Sequence, residues 1–168
     1  MARGSTTSGA PSAAPSSTAS EPAAMAGFEL LAHTADVGVR ARGATLEEVF
    51  EQATLGLAEV LGALAPGRAP PGGPPDGERV AVEVTAGDHG ALLVDWLNEV
   101  LWLHEARQHA AVVAVRVDQV TGDRAAGGVT FSTTGPPADG TSVKAATYHQ
   151  LRVGRDGGGW LAEVYLDV

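Results

Sequence analysis

Cysteine is missing from this 168-residue chain, which excludes disulfides, thiolate metal sites and cysteine nucleophiles. Positive charge is scarce: Lys144 is the one lysine, ten arginines are scattered along the chain, and the formal net charge is -9. That balance lacks the basic stripe that nucleic-acid binders carry, so direct binding of RNA or DNA is not expected. No apolar run approaches the length of a membrane-spanning helix. The first residues contain Arg3 but no apolar core, which argues against a secretory signal. No membrane partner and a cytoplasmic location are the expectations. Familiar catalytic patterns are absent too: there is no P-loop, dinucleotide fingerprint, His-Glu-x-x-His or Gly-x-Ser-x-Gly.

The chain is long enough for one ordinary domain. Residues 1 to 25 hold almost no large apolar side chain and read as a disordered tail, with a single domain over 26–168. Phe28 to Leu31 is a short strand candidate. Val37 to Arg42 alternates apolar and polar with period two, as a half-buried strand does. Thr45-Leu46-Glu47-Glu48 is a capping box. The helix it opens carries Leu46, Val49, Phe50, Ala53, Leu57, Val60, Leu61 and Leu64 on one stripe. Residues 65 to 78 hold five prolines and four glycines and read as an exposed loop.

Arg79 to Val84 alternates again, and Asp88 offers a cap to an apolar helix over Ala91 to Leu103. Strands follow over 111–117, 128–133 and 143–153, and Gly157-Gly158-Gly159 turns the last of these into a strand over 160–166. Two helices among hairpin-rich strands predict an α+β fold with a mixed or antiparallel sheet. The two strand-helix-strand units also suggest an internal duplication.

Two segments carry the chemistry. Asp167 and the α-carboxylate at Val168 put two negative charges at the end of one strand, and such a cluster needs solvation, hydrogen bonds or a cation. Asp36 follows the small-residue turn that begins at His33. If the first and last strands are neighbours, Asp36, Asp167 and Val168 form a set of oxygen donors suited to a hard cation such as calcium or magnesium. The simpler reading is a strand that ends at the surface with its charges in water.

On the strand over 143–153, Lys144, Ala146 and Tyr148 are expected on one face, with Ala145, Thr147 and His149 on the other. Lys144 either neutralises the carboxylates or snorkels to water. His33 reads as a polar core residue bonded to backbone, ahead of a ligand role. His104 and His109 fall at a helix end with diverging rings, and Trp96 and Trp102 read as packing residues.

Together these segments resemble one family, the archeases. The resemblance covers residues 28 to 168. It rests on His33-Thr34-Ala35-Asp36-Val37-Gly38, Thr45 to Phe50, Asp95 to Leu101, Val143 to His149 and the terminal Leu166-Asp167-Val168. It implies a small acidic cofactor of the GTP- and manganese-dependent RNA ligase that joins tRNA halves, promoting the ligase's guanylylation and multiple turnover. It further implies a divalent cation, calcium above others, held by Asp36, Asp167 and Val168, and makes Lys144 a candidate functional residue; His33 and His149 are further candidates for contact with a partner. Ala146 departs from the larger β-branched residue usual in that strand. Two other readings stand beside this one, the first on the same carboxylates. One is a metal-dependent phosphoester hydrolase. The other is a general chaperone or interaction module presenting Trp102, Leu92 and the 65–78 loop.

Overall fold

The computed structural model describes residues 25–65 and 77–168. The expected tail and most of the Pro/Gly-rich loop lie outside those residues. Nine elements follow in chain order: β1 (Gly27–Ala32), β2 (Asp36–Gly43), α1 (Leu46–Val60), β3 (Glu78–Thr85), α2 (His89–Ala106), β4 (Val112–Val120), β5 (Arg124–Phe131), β6 (Ala145–Asp156) and β7 (Gly159–Asp167). They form a four-stranded sheet ordered β1-β2-β7-β6 and a three-stranded sheet ordered β3-β5-β4. Every strand pair is antiparallel. The α+β expectation holds, with two sheets instead of one.

The helices start where the sequence places them. Thr45 accepts from the Glu48 N–H at 3.2 Å, and the Glu48 carboxylate accepts from the Ala44 N–H at 2.7 Å, which completes the capping box. Asp88 caps α2 by accepting from the Ala91 N–H at 2.8 Å. Each helix packs on both sheets, α1 against β2 and β4, α2 against β6 and β3. Helices covered on two sides need more than one apolar stripe, and Thr54, Leu55, Gly56 and Ala58 of α1 are buried along with the expected residues. Gly56 permits the closest approach, since a Cβ there would stand 2.4 Å from Val39 Cγ1. Within this layer the Trp96 indole donates to the Thr54 hydroxyl at 2.9 Å, which in turn donates to the Phe50 carbonyl at 2.7 Å.

Four expectations change. Strand β5 begins at Arg124 and not at Gly128, because Arg-Ala-Ala-Gly offers no apolar alternation to read. The two strand-helix-strand units are not equivalent: the first crosses between sheets and the second stays in one. Leu92 is fully buried, so it cannot share an exposed patch with Trp102, which is 60% exposed. His104 and His109 do not diverge: Gln108 and His109 adopt left-handed backbone, which folds the chain back and brings the rings to 5.2 Å.

Edge strand β4 is sealed from the side by α1. Its Val117 and Val120 N–H groups, beside a register shift, donate to the Glu51 and Glu47 carboxylates at 2.9 Å each. Burial raises the Glu51 pKa, and the bond from Val117 partly offsets that. Among the described residues no helix is long and apolar enough to cross a membrane.

Candidate functional site

The four-stranded sheet buries one face against the helices through Val39, Ala41, Ala162, Val164 and Leu166. Alternation sends Asp36, Gly38, Arg40 and Arg42 of β2, and Leu161, Glu163, Tyr165 and Asp167 of β7, to the opposite face. The two strands are neighbours, and Asp36 stands directly opposite Asp167. Two aspartates in register on one face bring like charges to within about 5 Å at their Cβ atoms, an arrangement that costs stability without a counter-charge.

Strand β6 completes that end of the sheet. Ala145 pairs with Asp167, and the Lys144 N–H donates to the Asp167 carbonyl at 2.7 Å. Asn98 of α2 holds this start of β6 by bonding both backbone groups of Ala146, donating to its carbonyl at 3.2 Å and accepting from its N–H at 2.8 Å. Lys144 itself precedes β6 and is exposed, and it forms no ion pair with Asp36 or Asp167. Its side chain does not share a face with Ala146, which is buried. The geometry brings the lysine backbone, but not its charge, to the aspartates.

The next row on the open face is aromatic. Tyr165 lies across from Gly38, where a Cβ would stand 2.9 Å from the tyrosine ring. The missing side chain therefore gives the ring its seat. His33 meets Tyr165 edge to face at 6.0 Å, and His149 does so from the other side at 6.1 Å. His33 is thus exposed in the β1–β2 turn and is not the backbone-bonded core residue its sequence context suggested. His149 arrives through an irregularity in β6. Thr147 faces Tyr165 and Arg152 faces Glu163, so β6 takes the step from 147 to 152 while β7 moves only from 165 to 163. Gln150, with φ of 50°, absorbs the excess. The simple alternation expected over 143–153 fails at this bulge.

Among the described residues no three His, Asp or Glu side chains converge as a metal cluster. The Asp36–Asp167 pair is a two-carboxylate arrangement, with Val168 beside it and 36% exposed. All of its donors are oxygens, the set that fits calcium or magnesium and not a thiolate- or imidazole-preferring ion. Sequence reasoning missed Tyr165 and Asn98. Tyr165 was within reach, since two residues before Asp167 on a strand means the same face. Asn98 depended on where α2 lies against β6.

Residues 28–168 match the family model described as the archease protein family. The protein archease of Methanosarcina mazei is 32% identical over 154 residues, covering 84% of this chain and 95% of its own length. That of Thermococcus kodakarensis is 34% identical over 151 residues, covering 86% and 100%. Among solved structures, the solution structure of protein 1598 of Methanobacterium thermoautotrophicum superposes with a TM-score of 0.65 at 32% identity, covering 84% of this chain and 99% of that one. The crystal structure of an archease, a possible chaperone, from Thermotoga maritima shares the fold at a TM-score of 0.55 and 24% identity, covering 82% and 94%. With the family match running from Phe28 in β1 to the end of β7, the chain belongs to the archease family.

Proposed function

We propose that this chain is a cytoplasmic, divalent-cation-binding activator of a GTP-dependent tRNA-splicing RNA ligase, working through protein contact and without turnover of its own. The observation that carries the reading is the cross-strand pairing of Asp36 with Asp167 on the open face of the sheet. Two carboxylates held opposite each other by backbone register are preorganised for a hard cation, and they repel each other without one. Asp36, Asp167 and the carboxylate at Val168 would hold the ion, with calcium expected. Membership of the archease family supports the ligase as partner.

The protein's own residues supply position. Asn98 fixes the start of β6 beside Asp167, and the Lys144 N–H anchors the Asp167 carbonyl. The exposed Lys144 ammonium, His33 and His149 surround this end of the sheet as contacts for the ligase or its bound anions. A bound divalent ion supplies charge neutralisation and a coordination point at the contact surface.

The test is a multiple-turnover ligation assay with the cognate ligase, comparing wild type with Asp36→Ala, Asp167→Ala and a chain extended beyond Val168. Stimulation by wild type, lost in all three while each retains its fold by circular dichroism, is the expected result. Full stimulation by the extended chain would overturn the role of Val168. Full stimulation by both aspartate variants would overturn the cation site.

A further inference from the structure

Two histidines meet at the far end of α2, away from the aspartate pair. The helix ends at Ala106, and the backbone of Gln108 and His109, with φ of 55° and 61°, turns the chain back over that end. The turn is held on both sides. The His109 N–H donates to the His104 carbonyl at 2.9 Å, and the His109 carbonyl accepts from the Ala138 N–H at 2.8 Å. Both imidazole rings line one hollow of about 230 Å³, with Glu105, Thr141 and Ser142 beside them.

His104 is 1% exposed, and hydrogen bonding fixes its tautomer. Its Nδ1 stands 3.1 Å from the Ala110 carbonyl oxygen, which can only accept, so Nδ1 carries the proton. In the neutral ring Nε2 then holds a lone pair that meets no donor among the described residues and is open to the hollow. Burial lowers the His104 pKa and so favours that neutral form. A carbonyl behind one nitrogen, with the other left free, is the arrangement that orients metal-ligating histidines. The ring centres of His104 and His109 are 5.2 Å apart. Two imidazoles sharing one tetrahedral ion, at nitrogen distances of about 2.0–2.1 Å, have centres about 5 Å apart. The partial negative charge at the C-terminus of α2 favours a cation at the same place.

We propose that His104 and His109 bind a transition-metal ion of the zinc type at the C-terminal end of α2. Imidazole nitrogens suit such an ion, whereas calcium and magnesium take oxygen donors. An organic ligand fits less well, because the hollow is smaller than the range of about 300–1,000 Å³ usual for such sites. No third His, Asp or Glu among the described residues joins the pair as a ligand, so water fills the remaining coordination positions. Glu105 adds negative charge at the rim. This site shares no residue with the aspartate pair and is tested without the ligase, so its failure leaves the proposed activator role untouched.

The experiment titrates zinc, and separately calcium, into the full chain after metal has been stripped with chelator and the chelator removed. Proton–nitrogen correlation spectra of the histidine rings follow each addition. Affinity is read from the ring signals themselves, so zinc held elsewhere on the chain does not enter. The expected result is that zinc moves the His104 Nε2 and His109 ring signals and calcium moves neither. His109→Gln, at an exposed position where the fold tolerates change, should weaken the zinc affinity read at His104 at least about tenfold, since altering a group that merely orients a ligand costs about 10–100-fold. His89→Gln, at the opposite end of α2, should bind as wild type does. Zinc that leaves His104 Nε2 unmoved, equal affinity in His109→Gln and wild type, or displacement of zinc from the rings by calcium would overturn the proposal.

Discussion

Replacing Asp167 by asparagine should reverse the order of stability between two buffers. Asp36 and Asp167 are directly opposed on adjacent strands, so the spacing of about 5 Å expected between their Cβ atoms sets the scale of the repulsion between their charges. At that distance and a solvent-like dielectric the repulsion is about 0.8 kcal/mol. Asparagine keeps the shape and removes one charge. In chelator, Asp167→Asn should therefore be more stable than wild type by about 0.5–0.8 kcal/mol, which raises Tm by about 2 °C for a domain of this size. Calcium changes the comparison. An ion at 100 times its dissociation constant stabilises the native state by about 2.7 kcal/mol, and the variant forfeits most of that. Wild type should then exceed Asp167→Asn by about 2 kcal/mol in calcium. Differential scanning calorimetry in chelator and in calcium reads both signs. A variant less stable than wild type in chelator would refute the repulsion argument, and a wild type indifferent to calcium and magnesium would refute the cation.

Three further outcomes follow from particular contacts. Thr54→Val should cost about 1–3 kcal/mol in urea unfolding, because the buried Trp96 indole loses its acceptor, whereas Thr54→Ser should stay close to wild type. Gly38→Ala should lose about 1–3 kcal/mol through overpacking against Tyr165 and Leu31, and nuclear magnetic resonance should show the His33 and His149 ring signals moving with the displaced tyrosine. Burial lowers the His104 pKa, although its bond to the Ala110 carbonyl opposes that. In the window between the ordinary histidine value and the lower folded one the unfolded chain binds more protons, so stability is full at neutral pH and falls as the solution is acidified. The slope below about pH 6.5 should flatten in His104→Asn.

Much of the fold was legible because its signals are local. The Thr45 and Asp88 caps, the Gly157-Gly158-Gly159 turn and the stripe on α1 from Leu46 to Val60 each act over a few residues and appear as read, while Leu61 caps the helix and Leu64 lies beyond it in a bridge to Val112. The start of β5 was not legible, since Arg124 to Gly127 is held by pairing on both sides and not by its own apolar pattern. Lys144 and Ala146 were given one face because a regular strand was assumed from Val143; β6 starts later and bulges before Arg152.

Asp36 and Asp167 could be nominated from sequence as carboxylates at strand ends, and nothing beyond nomination was possible. Their meeting depends on β7 pairing with β2 across more than a hundred residues, a choice made by burial of Val39, Val164 and Leu166 against the helices. The same pairing carries Tyr165 to Gly38 and Arg40 to Glu163. Composition determined that the chain is acidic and free of thiol chemistry, and local periodicity determined most of its elements. Which charges stand side by side was decided only by strand register, because electrostatic energy depends on distance through space and not along the chain.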